Sequence, residues 1–181
     1  MTKKELKTVN LDDLQSSSSS HEHNTSKEEV VEEKIDAKVD YLLVNDEKEL
    51  LHIVNGIPKD SIIAFDTETT GLDSLNEDIV GFSFCYENTK AYYVPIAHFY
   101  LGVPEQISKE VAKQAIEVLN THKLVLHNFK YDFEIIKNNF GIELNLYADS
   151  MIMAWLLNSD KAVGLDKLAL EEFNHTMISF K

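Results

Sequence analysis

The sequence predicts an α/β fold: a mixed β-sheet flanked by helices, preceded by a disordered N-terminal linker. Three observations carry the prediction. Three short runs rich in β-branched and aromatic residues follow one another between turn residues, at 61–66, 79–86 and 91–95. From Ser108 onward, segments with helical spacing alternate with short apolar runs, the order that builds a sheet with crossover helices. With 181 residues, 44% of them hydrophobic and 9% aromatic, the chain can bury one ordinary core.

Residues 1–39 are expected to be the linker and residues 40–181 the folded domain. The first segment carries a serine run at 16–20 and dense charge at 28–34, too little apolar surface to offset the entropy of folding. Its His21 and His23 read as solvated. Order is expected to begin with a strand at 40–44. Asp46 then caps a helix with apolar positions Leu50, Leu51, Ile53 and Val54, ended by Gly56 and Pro58. The three strands come next, separated by turns at 73–76 and 87–89. Ser108 caps a helix whose apolar face carries Val111, Ala112, Ala115, Val118 and Leu119. A strand at 123–126 leads to a helix from Asn128 to about 138, with Phe129, Phe133, Ile136 and Phe140 at helical spacing. A short strand near 144–147 and helices near 149–157 and 165–173 complete the order. A ribonuclease H-like layout fits it.

Composition narrows the function. No apolar run is long enough to span a bilayer and no secretory signal opens the chain, so a cytoplasmic protein without membrane contact is expected. The lone Cys85 reads as a small buried hydrophobe. The net charge is −14, and all 17 basic residues are lysines, which excludes a broad basic surface and any guanidinium fork for phosphate. From Ser61 onward there are 17 acids against 9 lysines. Any nucleic acid must therefore be held locally, by metal ions and stacking, or through a partner.

The chemistry concentrates at Asp66 and Glu68, at the end of an apolar strand. Residues i and i+2 of a strand project to one face, so these carboxylates stand side by side and repel. Hard divalent cations with oxygen ligands relieve such pairs. An Asp that bonds turn amides before Thr69-Thr70-Gly71 is the alternative. Asn128 and Asp132, four apart at the start of a later helix, bring a further carboxylate to a strand-to-helix loop. A capping Asn and a solvent-facing Asp are the alternative there.

Phe65-Asp66-Thr67-Glu68-Thr69-Thr70-Gly71-Leu72 followed by Asn128-Phe129-Lys130-Tyr131-Asp132 resembles the first two motifs of the DEDD 3′→5′ exonucleases. More narrowly, the chain resembles the proofreading domain of bacterial DNA polymerase I. The stretch 92–98 (Tyr-Tyr-Val-Pro-Ile-Ala-His), Asp149-Ser150-Met151 and residues 164–169 also match that pattern. The resemblance implies two divalent metal ions, Mg²⁺ or Mn²⁺, with Asp66 bridging them, Glu68 on the water-activating ion and Asp132 on the other. It further implies that Leu72 wedges between the last bases, that Asn128 and Tyr131 contact the terminal nucleotide, that Thr69 places the scissile region through its backbone, and that Phe180 packs against the DNA end. His98 reads as structural.

The family's fourth carboxylate, in Tyr-x-x-x-Asp, has no counterpart; Asp149 reads as an N-cap and Asp166 as a first-turn residue. The expectation is a C-terminally incomplete exonuclease domain acting on single-stranded or frayed DNA 3′ ends, with a polymerase domain in the parent chain. The other readings are a ribonuclease-D-like RNA trimming domain, which the 92–98 stretch argues against, and a catalytically silent spacer module.

Overall fold

The computed structural model describes residues 39–177; His21, His23, Phe180 and nearly all of the expected linker lie outside them. In chain order the elements are β1 (Asp40–Leu43), α1 (Glu47–Gly56), β2 (Ile62–Thr69), β3 (Ile79–Glu87), β4 (Lys90–Pro95), α2 (Lys109–Leu119), β5 (Lys123–Leu126), α3 (Phe129–Phe140), β6 (Leu146–Asp149), α4 (Ser150–Leu157) and α5 (Leu165–Phe173). The strands form one sheet in the order β1-β4-β3-β2-β5-β6. Strands β4, β3 and β2 run antiparallel, while β1, β5 and β6 add in parallel at the two sides. This is the mixed ribonuclease H-like sheet that three successive strands followed by helix–strand alternation demand. No described helix is long and apolar enough to cross a membrane.

Strict alternation along β2 divides its side chains. Ile63, Phe65 and Thr67 are buried, whereas Ala64, Asp66 and Glu68 point to the open face. The buried side continues as neighbouring rings: Phe65–Phe82, Phe82–Phe84 and Phe84–Tyr92 have centroids 5.7, 6.2 and 4.9 Å apart. Leu50 and Val54 of α1 join this core, as do Ala112, Ala115, Ile116 and Leu119 of α2. Val111 and Val118 sit at its margin, because Ile116 takes the centre of the α2 stripe.

Four expectations are corrected. Strand β2 does not close at Asp66 but runs to Thr69, so both carboxylates sit within the strand. Strand β6 lies two residues later than expected, and Leu144 is buried just ahead of it. Helix α3 buries Asp132, Ile135, Ile136 and Phe140, while Phe129 and Phe133 pair at its edge, 5.4 Å apart. Its apolar stripe is thus rotated to carry Asp132 inward. Cys85 is only half-buried on the open face, where its thiol donates to the Glu87 carbonyl at 2.9 Å.

Asp149 caps more than its own helix. It accepts from Met151 N and Ile152 N at the start of α4, and also from Asn128 N and Phe129 N at the start of α3. Burial works to raise its pKa, but these four amides prevail and hold it below the usual 3.8. Asp149→Ala strips the acceptor from two helix N-termini at once, and is expected to lower stability by about 3 kcal/mol. A urea melt checks this, and an unchanged midpoint would show the caps to be redundant.

Candidate active site

The site lies where β2 meets the N-terminal turns of α3. Asp66 and Glu68 share the open face of the sheet, and Thr67 between them turns to the buried side. There Asp132, 2% exposed, accepts at one carboxylate oxygen from the Thr67 backbone N–H (3.0 Å) and from the Thr67 hydroxyl (2.7 Å). A buried carboxylate needs such donors, and these two tie α3 to β2. Neither of the alternatives weighed for Asp132 and Asp66 holds: one is not solvent-facing, and the other makes no turn.

The electrostatics make Asp66 the middle member of the three. Desolvation and then the charge of Glu68 raise its pKa to about 6. Burial raises that of Asp132 to about 7, opposed by the Thr67 hydroxyl and reinforced by the charge of Asp66. The three do not share one coordination sphere, however: among the described residues no three Asp, Glu, His or Cys side chains are gathered closely enough to hold an ion by themselves. Asp132 is bonded to Thr67, while Asp66 and Glu68 project from the open face of β2, and uncompensated carboxylates repel. The donor set still fits hard divalent ions, since it consists of carboxylate oxygens, and burial together with a neighbouring carboxylate charge raises the pKa of Asp66 and of Asp132.

Helix α3 also holds the turn after β2. The Tyr131 hydroxyl donates to the Gly71 carbonyl at 2.7 Å and lies 2.6 Å from the Thr69 hydroxyl. Ser74 bonds Glu134, while Asn138 and Asn139 donate to the carbonyls of Ser74 and Glu77 at 3.2 Å. Leu72 stands at the crest of this braced loop, 94% exposed. Asn128 does sit at the N-cap position, but at φ 71° in the left-handed region and without a side-chain capping bond. Asp149, twenty-one residues later, supplies the cap instead, a role that the spacing of a single helix start did not reveal. Beside Asp66 a pocket of about 330 Å³ opens over Ala64, Ser83 and Cys85, walled by Val125, His127 and Leu165. His98 bonds Tyr93 through Nε2 at 2.5 Å.

Comparison with known proteins points the same way. The family described as 3′-5′ exonuclease matches residues 41–181. DNA polymerase I of Pseudomonas aeruginosa is 36% identical over 156 residues, which cover 83% of this chain but 17% of that relative's length. Among solved structures, Escherichia coli RNase D, an exoribonuclease involved in structured RNA processing, superposes with a TM-score of 0.58 at 15% identity, over 77% of this chain and 35% of that one. Brucella melitensis NrnC with bound Mg²⁺ gives 0.54 at 13% identity, over 80% and 65%. At such identities these two likenesses speak to the fold alone.

Proposed function

This chain belongs to the 3′-5′ exonuclease family, and from that premise we propose that it removes nucleotides from single-stranded or frayed DNA 3′ ends, as the proofreading domain of a DNA polymerase I. The family match over residues 41–181 is the observation that carries the reading. The polymerase relative and the stretch 92–98 support DNA rather than RNA as substrate.

Asp66 would bridge two divalent ions, Mg²⁺ or Mn²⁺, with Glu68 on one and Asp132 on the other. Bound there, such ions lower the pKa of a water and stabilise the leaving 3′ oxygen. The chain's own residues do the positioning. Thr67 aims Asp132. The Tyr131–Gly71–Thr69 bonds hold the turn that presents Leu72, whose side chain enters the last base step of an opened end. A mismatched terminus costs less to unstack than a paired one, so the wedge selects it. Tyr131, whose hydroxyl is engaged, offers its ring to the terminal nucleotide, and Asn128 its exposed amide. Thr69 contributes backbone, and Phe180 is assigned to the DNA end on resemblance alone.

The test is digestion of a 5′-labelled single-stranded DNA oligomer with Mg²⁺ or Mn²⁺, beside an RNA of the same sequence. A ladder shortening from the 3′ end of DNA, lost in Asp66→Ala, is the expected result. Faster attack on RNA would favour trimming, and no Asp66-dependent hydrolysis at all would leave a spacer role.

A further inference from the structure

Beyond the three carboxylates, one polar pair faces the site without a part in it. Tyr93 on β4 lies opposite Ser83 on β3, which lies opposite Asp66 on β2, so its side chain rises on the open face in the row of Asp66. From there the ring leans across Gly81. A Cβ on Gly81 would fall on the Tyr93 hydroxyl and within 2.7 Å of ring carbon Cζ, so only glycine leaves this berth open. Gly81 is the cross-strand partner of Glu68. Directly opposed antiparallel residues have Cβ atoms about 5 Å apart. The Tyr93 hydroxyl, standing where a Gly81 Cβ would be, is therefore about that far from the Glu68 Cβ, within reach of its carboxylate.

The other side of the hydroxyl is held by His98 Nε2 at 2.5 Å. The histidine is itself fastened: its backbone N–H donates to Gln106 Oε1 at 2.7 Å, and Gln106 Nε2 donates back to the His98 backbone carbonyl at 2.9 Å. The Tyr100 ring meets its edge at 6.4 Å. A hydroxyl has one proton, and a carboxylate accepts only. With the proton on His98 Nε2, the imidazole donates to the Tyr93 oxygen, which leaves the Tyr93 O–H for an acceptor on the Glu68 side.

We propose that the Tyr93–His98 pair, berthed over Gly81, is a positioning device that orients the Glu68 carboxylate for a divalent ion. The proposal rests on the metal reading of Asp66 and Glu68 and adds residues to it. Groups that orient metal ligands are worth 10- to 100-fold in affinity where they have been removed.

Calorimetric titration of the full chain with Mn²⁺, together with its melting temperature, tests the device. Tyr93→Phe should weaken Mn²⁺ binding about 10-fold while the melting temperature stays within about 3 °C. His98→Leu should do the same, and His98→Gln, which keeps an N–H donor, should restore most of the affinity. In a Glu68→Gln background, Tyr93→Phe should change affinity less than about 2-fold, because the hydroxyl then has no ligand to orient. Wild type that binds Mn²⁺ with Tyr93→Phe binding equally well overturns this inference alone. Equal losses with and without Glu68 also overturn it, by showing a purely structural role. Wild type that binds no Mn²⁺ overturns the metal reading and the positioning role with it.

Discussion

Asp66→Ala is expected to abolish Mn²⁺ binding and to reduce 3′→5′ DNA hydrolysis by at least ~100-fold. Of the three carboxylates, Asp66 alone couples to both others: Glu68 raises its pKa, and it raises that of Asp132. A group in that position is the one that two ions would share. Asp132 bonds Thr67 and not Glu68, so Asp66 is the member that links the other two. Titration of the variant beside wild type, followed by end-labelled digestion, reads both effects. Unchanged Mn²⁺ affinity in Asp66→Ala would move the metal site elsewhere.

Asp132→Asn is expected to stabilise the metal-free protein at pH 8 by about 4 kcal/mol, with the gain vanishing near pH 4. The sign follows from linkage. The folded-state pKa of about 7 stands above the ordinary 3.8, so the native state binds the proton more tightly than the unfolded chain. Stability is then highest when the carboxyl is protonated, and falls as pH rises from about 4 through 7. Asparagine is neutral throughout and keeps an oxygen for the Thr67 N–H and hydroxyl. Asp66 titrates in an overlapping window, so the two release their protons as a coupled pair. Urea melts in EDTA at pH 4, 6 and 8 measure the gap, and Mn²⁺ should narrow it by stabilising wild type more than the variant. A variant less stable than wild type at pH 8 would mean that the Thr67 donors already compensate the charge.

Most of the architecture was legible because it is local. The apolar run of β2, the Asp46 and Ser108 caps and the stop at Gly56 are written in neighbouring residues, and the elements they imply all formed. The shared face of Asp66 and Glu68 follows from strand geometry in the same way. Less legible was the rotation of α3. Four aromatic and aliphatic positions at helical spacing pointed to one stripe, yet the helix turned far enough to bury Asp132 and leave Phe129 and Phe133 at the edge. Two hydrogen bonds from Thr67, sixty-five residues away, hold that rotation.

The sequence alone therefore determined which residue types were present, the strand that carries the carboxylate pair and the family to which the motifs belong. Tertiary structure decided the rest: that Asp132 is bound by Thr67 of β2, that Asp149 caps α3 as well as α4, and that Tyr93 leans over Gly81 toward Glu68. Each of these joins residues distant in the chain or on different strands, and each depends on a register or a helix rotation set by packing across the whole sheet. Periodicity reads which face a residue takes on its own element, but not which residue of another element it will find there.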